Sequence, residues 1–174
     1  MRLRIDMKGR AEYLMYRWRY IGDDERKRLY DKAQEHIGLH YGELRIGDFF
    51  ACLRCDFSVI GVRSTWNRAT QAQYIWAMGF ADYMESVSKY LQRLTPPQTP
   101  EQIAAQGVCR KVEFEESVLV FCRSYFGLPS FRAVEDITVN EYIIAKKDRY
   151  NAAVYERKLN ELYKLKQKQK KCTL

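Results

Sequence analysis

The sequence lacks any run of eighteen apolar residues, which excludes a membrane-spanning helix. Its first ten residues also lack the apolar stretch of a signal peptide, so we expect the protein to be cytoplasmic. The cysteine count of five is odd, and in an intracellular chain this indicates free thiols or metal ligands rather than disulfides. With 174 residues, 47% hydrophobic and 14% aromatic, the chain is long and apolar enough for one folded domain, and it is not a disordered one.

Motifs of the common enzyme classes are also missing. There is no Gly-x-Ser-x-Gly nucleophile turn, no phosphate-binding glycine loop and no dinucleotide fingerprint. The chain has two histidines, so a histidine-based acid–base site must use His36 or His40. We therefore expect a protein that is not an enzyme and that has no cofactor.

The chain has no net positive charge outside its two ends. The net charge is +8, but the last eighteen residues carry +6 and the first 32 carry +4. The 124 residues between them are slightly acidic, with a net charge of −2. A nucleic-acid-binding domain usually carries its charge on a folded face, so this distribution favours a near-neutral body with a basic tail.

Apolar residues recur every three or four positions along most of the chain, which predicts an all-α, compact bundle of about six helices. The longest pattern begins at Ser64 or Thr65 and ends at Leu94, and we expect this helix to be central. Gly79 weakens it but would allow a close helix crossing. The proline-rich stretch 95–100 ends it and links two halves of a helical domain, residues 1–163, which precedes a basic tail, residues 164–174.

Further boundaries follow from capping and stop signals. A first helix is predicted over 9–20, a second from Asp23 or Asp24 to a stop at Gly38, and a third over 46–57 with Asp48 as its cap. The apolar run 57–62 could be an extended connector, although periodicity does not decide so short a run, and a short helix should span 99–107.

In the last third of the chain, residues 114–127 have helical spacing, although their inner run 117–122 could also form a buried strand. We favour a helix because acidic residues stand at its start and Gly127 at its end. Thr138 and Glu141 match a capping box. The helix that follows is expected to run past Tyr163 into the lysine tail, where repulsion between lysines should fray it.

Two histidines and two cysteines have the local spacing of zinc ligands. His36 and His40 form His-x3-His, and Cys52 and Cys55 form Cys-x2-Cys. These are ligand types of a tetrahedral zinc site, although a single Cys-x2-Cys pair is half of the usual pattern. The alternative is that Cys52 packs in the core and the other three have no shared role.

Arginines near the start of the chain alternate with aromatic residues. Arg10, Arg17 and Arg19 stand among tyrosines and Trp18, and such side chains can hold phosphates and stack on bases. The alternative is an amphipathic helix with a basic exposed face. The lysine tail by itself would give only weak, salt-sensitive binding to any polyanion.

Aromatic residues are abundant, with three Trp, thirteen Tyr and eight Phe. Tyrosine and tryptophan anchor many protein interfaces, so the composition is compatible with a protein-binding module. An aromatic core is the alternative explanation.

Part of the chain resembles a known family. The segments that carry the resemblance are a helix start at Thr99-Pro-Glu-Gln, the aromatic Phe-Cys-Arg-Ser-Tyr-Phe-Gly over 121–127, Phe-Arg-Ala-Val-Glu-Asp over 131–136, and Ile-Thr-Val-Asn-Glu-Tyr over 137–142. Together, residues 99–159 resemble the small helical tail assembly chaperones of tailed phages.

The resemblance implies a non-enzymatic, cytoplasmic protein of the phage's host cell that coats the long, apolar tape-measure protein and helps to recruit tail proteins. Self-association into a homo-oligomer remains open. No residue-level motif carries over, and the contact candidates are an aromatic surface of Tyr125, Phe126, Phe131 and Tyr142. The alternative is that these four pack a helix hairpin around Pro129. The runner-up function is nucleic-acid binding through the basic helical N-terminus.

Overall fold

The structure, a computed structural model, describes residues 13, 16–62, 66, 69–94 and 113–172, with side chains as far as residue 167. The described residues form an all-α fold without a β-strand, which confirms the predicted fold class. None of the described helices is long and apolar enough to cross a lipid bilayer. Six α-helices have their bounds within the described residues: α1 (Asp23–Ile37), α2 (Ile46–Leu53), α3 (Gln71–Arg93), α4 (Phe114–Phe126), α5 (Phe131–Val134) and α6 (Val139–Cys172).

The long predicted helix is α3, but its start differs from the prediction. It begins at Gln71, because Thr70 is extended and forms a capping box with Gln73. The Thr70 hydroxyl accepts from the Gln73 backbone N–H, and the Gln73 side chain accepts from the Thr70 N–H at 2.7 Å. The Gln73 amide also donates to the carbonyl of Ile60 at 2.7 Å, which ties this cap to the preceding turn. Apolar spacing does not encode such a cap.

The core is centred where α3 crosses α1. Trp76 is fully buried there, and its indole N–H donates to the Leu39 carbonyl at 2.9 Å. The Tyr41 hydroxyl donates to the Trp76 carbonyl at 2.7 Å. Gly79 faces Tyr30 and Tyr41 so closely that a methyl group on it would overlap both. The predicted close crossing at Gly79 is therefore confirmed.

Caps near the start of the chain differ from the predicted ones. The N-cap of α1 is Gly22, so Asp23 and Asp24 lie in the first turn, where they stabilise the positive end of the helix dipole. The predicted stop at Gly38 is confirmed, with φ of 74°. In α2 the N-cap is Arg45, and Asp48 likewise lies inside the first turn.

The segment predicted as an extended connector contains a helical turn. Residues Ser58–Ile60 form a 3₁₀ turn, and the Asp56 carboxylate accepts from the backbone N–H of Ser58 at 3.0 Å. A short aspartate side chain can hold a turn in this way, which an apolar run alone does not reveal. The linker 95–100, the short helix predicted over 99–107 and half of the helix predicted over 9–20 lie outside the described residues.

The later boundaries agree better with the sequence. The segment from Phe114 to Phe126 is helical and ends at Gly127 with φ of 64°, so the buried-strand alternative is wrong. Helix α6 continues past Tyr163 to Cys172, as predicted. The predicted fraying of its lysine-rich end stays a prediction.

A short backbone contact joins the earlier part of the chain to the later part. The N–H of Ile46 donates to the Ile137 carbonyl at 2.8 Å, and the N–H of Val139 donates to the Leu44 carbonyl at 2.9 Å. An exposed ion pair between Arg45 and Asp136 lies beside them. This contact fixes the start of α6 against the start of α2.

The capping box at the start of α6 is confirmed. The Glu141 carboxylate accepts from the N–H of Thr138 at 2.7 Å and from its hydroxyl at 2.8 Å, while the hydroxyl accepts from the N–H of Glu141 at 3.2 Å. Substituting Thr138→Ala should lower the free energy of unfolding by about 1 kcal/mol at neutral pH, as measured by urea denaturation.

The same bonds give this cap a pH dependence. They hold the pKa of Glu141 below its usual range, so their stabilisation is complete above the ordinary glutamate pKa and is lost as the pH falls through the lowered value. T138A should therefore lose less stability than the wild type on acidification. A variant with Ser at position 138 should keep most of the wild-type stability; equal stability of T138A and wild type at pH 7 would contradict the role of this cap.

Candidate partner-binding groove

An open apolar groove of about 710 Å³ lies between α3 and α6, with side chains of α2 and α4 also lining it. Most of its lining surface comes from carbon, and no aspartate or glutamate is among the described residues that line it. The lining residues are Leu53, Met84, Val87, Ser88, Leu91, Gln92, Leu94, Phe114, Phe121, Tyr142, Lys146, Arg149, Tyr150 and Ala153.

Each wall of the groove is a stripe along one helix. On α3 the stripe runs from Met84 to Leu94, and on α6 from Tyr142 to Ala153. At a rise of 1.5 Å per residue, each stripe is roughly 15 Å long, or about three helical turns. A groove between two helices that present apolar residues at this spacing has the dimensions to take a third amphipathic helix.

The capping box at Thr138 sets the rotation of α6 and therefore which side chains enter the groove. Tyr142, in the first turn, is only 6% exposed, and its ring meets Phe121 edge to face with the ring centroids 5.8 Å apart. One turn later, this rotation places Lys146 on the same face. The burial of Tyr142 strongly raises the pKa of its hydroxyl, which stays protonated.

Lys146 is a half-buried cation in an apolar environment. Its ammonium nitrogen lies 3.9 Å from the centroid of the Phe121 ring and 5.7 Å from that of Tyr142. Burial lowers the pKa of Lys146, and the neighbouring Cys122 partly opposes that shift. Within the described part of the chain, Lys146 forms no ion pair with a carboxylate.

The aromatic residues predicted to form one contact surface are distributed differently. Tyr125 and Phe126 are exposed and in contact, with ring centroids 5.0 Å apart, and the Tyr125 hydroxyl donates to Asp148 at 2.7 Å. Phe131 is exposed beside Arg123, whose guanidinium lies 4.9 Å from the ring centroid. Tyr142 is not part of an exposed surface, because its ring packs inward and forms a wall of the groove.

The four residues of the zinc hypothesis are not brought together. No group of three or more metal-binding side chains occurs within the described ranges, which include all four residues. Cys52 is buried, and burial raises the pKa of its thiol to about 12, which disfavours the thiolate that zinc requires. His36, His40 and Cys55 are exposed. The interpretation of Cys52 as a core residue is the correct one.

The candidate nucleic-acid residues are only partly described. Arg17 and Arg19 are exposed, whereas Arg10 lies outside the described residues. Arg17 lies over the ring of Tyr13, with 5.9 Å between its guanidinium carbon and the ring centroid. Trp18 is buried, so its ring is not available to stack on a base.

Sequence reasoning missed the groove and Lys146. A signal for Lys146 existed, since it follows Ala145 and stands one turn after Tyr142, which places a cation beside the apolar face of a helix. The groove itself had no local signal, because its lining comes from four helices far apart in the sequence. Comparison with protein-family models, curated proteins and solved structures gave no match.

Proposed function

We propose that this protein is a non-enzymatic assembly chaperone that binds a segment of a tape-measure or tail protein during phage tail assembly. The groove between α3 and α6 supports this proposal, since it offers an apolar surface three turns long to a partner helix. The resemblance of residues 99–159 to tail assembly chaperones suggests the class of partner.

The groove suits a chaperone because its walls are adaptable. Met84 on α3 is a flexible, polarizable side chain that fits differently shaped apolar partners. Phe114, at the start of α4, is 47% exposed at the groove and offers an aromatic anchor of the kind that dominates binding energies at interfaces. A long, apolar tape-measure protein would need such a cover while it remains unassembled.

Phe114→Ala tests the groove, because it removes an exposed aromatic anchor without opening the core. We expect the affinity for the co-expressed tail or tape-measure protein to fall about tenfold, as measured by pull-down and titration. Phe131→Ala is a matched control, since Phe131 is 45% exposed but lies outside the groove.

A second pair of variants tests the same surface by blocking it. Ser88→Arg places a large side chain in the groove. Ser86→Arg introduces the same side chain at an exposed position of α3 outside the groove. Only Ser88→Arg should reduce binding. If the two members of each pair lose the same amount of affinity, the contact lies elsewhere. Failure to co-purify any tail protein would contradict the proposed function.

A further inference from the structure

We propose that the groove selects a partner helix whose apolar face carries a carboxylate, and that this carboxylate pairs with Lys146 and Arg149. This inference rests on the proposed function, because it takes the occupant to be a helical segment of a partner protein. It adds a charge rule: the groove should prefer an acidic residue among the apolar ones and should reject a basic one.

Charge complementarity carries the inference. Of the residues that the structure describes, fourteen line the groove, and these include two cations and no carboxylate. Neither Lys146 nor Arg149 forms an ion pair within the described part of the chain. A half-buried cation is normally paired, because removing a charge from water without a partner costs free energy. An arriving carboxylate would supply the partner that the chain itself does not.

The position of the two cations fits a ligand inside the groove. Lys146 and Arg149 are three residues apart on α6, so they lie on the same face of the helix. Lys146 is half-buried near the Phe121 ring, while Arg149 is exposed at the edge. A carboxylate entering with a helix would meet Lys146 where water is partly excluded, and there a charge pair is stronger than at an open surface.

A protein helix fits this groove better than a small apolar anion does. The two stripes of roughly 15 Å match about three turns of a helix, and the groove is partly open to solvent rather than an enclosed cavity. The repeated spacing of apolar residues on both walls matches the spacing of side chains on an amphipathic helix. A fatty acid would need only one cation and a narrow apolar channel.

The test uses three synthetic helical peptides of sixteen residues with the same leucine stripe. They differ at one central position on the apolar face, which is glutamate, glutamine or lysine. We expect the wild-type protein to bind the glutamate peptide about tenfold more tightly than the glutamine peptide and to bind the lysine peptide least, as measured by fluorescence anisotropy.

Two lysines next to each other provide matched variants. Lys146→Met should remove the preference for the glutamate peptide, so that this variant binds the glutamate and glutamine peptides with about equal affinity. Lys147→Met makes the same change in net charge at an exposed position outside the groove, so it should keep the preference. Lys146→Gln is a second variant, and thermal melting checks that each variant is folded.

The outcomes separate the charge rule from the proposed function. Equal binding of the glutamate and glutamine peptides by the wild type overturns the charge rule but leaves the groove as a helix-binding site. Loss of preference in both lysine variants also overturns it, because the effect would then come from net charge. Dodecanoate, a fatty-acid anion, serves as a fourth probe. If it binds and no peptide does, the occupant is a small apolar anion and the proposed partner helix is overturned. If neither dodecanoate nor any peptide binds, the groove is contradicted as the partner site as well. Residues 95–112 or a second copy of the chain would then be the candidates to fill it.

Discussion

Replacing Trp76 with alanine is expected to lower the free energy of unfolding by about 4 kcal/mol, the range found for removing a fully buried aromatic side chain. Trp76 has no exposed surface, and its ring stacks on Phe80 with the centroids 5.8 Å apart. Tyr41 meets the same ring edge to face at 4.8 Å. The substitution leaves a cavity in the centre of the core and removes the donor to the Leu39 carbonyl.

Urea denaturation followed by circular dichroism measures this loss of stability. Two further variants show how much of it depends on the size and the burial of the ring. Trp76→Phe keeps one aromatic ring but removes the indole N–H and part of the ring volume, so it should cost about 2 to 3 kcal/mol, less than W76A. Trp66→Ala removes a tryptophan that is only partly buried, where it stacks on Tyr74, and it should cost less than W76A. A loss below 1 kcal/mol for W76A would show that Trp76 does not hold α1 against α3.

The ends of helices were predictable where a single residue fixes the backbone. Gly38 and Gly127 both have positive φ, and glycine is the residue that adopts this conformation without strain, so the sequence marks the stop directly. The capping box of Thr138 and Glu141 was visible for the same reason, since both partners lie within one turn. Local chemistry therefore determined these boundaries.

Predictions failed where two local signals disagree or where the direction of a side chain decides the outcome. The cap formed by Thr70 and Gln73 also lies within one turn, but an apolar pattern continues through the residues before it, so α3 begins six or seven residues later than the start at residue 64 or 65 that this pattern indicates. His36, His40, Cys52 and Cys55 have suitable spacing for zinc, but Cys52 points into the core while the other three are exposed. Spacing along the chain does not specify the direction of side chains on different elements.

The distribution of charge illustrates the same limit at the groove. By sequence, the middle of the chain is slightly acidic, and the net positive charge is confined to the two ends. The fold nevertheless gathers Lys146 and Arg149 in one apolar groove, where the described lining residues include no carboxylate. Net charge by segment describes solubility and long-range attraction, whereas the fold determines the local charge that a partner meets.

Replacing Gly79 with alanine is expected to destabilise the protein by about 2 kcal/mol, although alanine is the better helix former. The added methyl group would overlap the Cβ of Tyr30 on α1 and the hydroxyl of Tyr41. The tyrosine Cβ is attached to the α1 backbone and cannot rotate away, so the two helices must separate. Separation loosens the contacts of Trp76 and Phe80, which lie on the same face of α3.

Two further variants show whether the crossing, rather than helix propensity, causes the loss. Ala81→Gly, at an exposed position of α3, should cost about 1 kcal/mol because glycine is the poorer helix former. Propensity alone would therefore make G79A more stable by a similar amount, which is the opposite of our expectation. Tyr41→Phe removes the hydroxyl that the new methyl would meet, so the double variant should lose less than the sum of the two single losses. Additive losses would instead place the conflict at Tyr30, whose Cβ no substitution except glycine removes, and a stabilised G79A would show that α1 and α3 do not cross at Gly79.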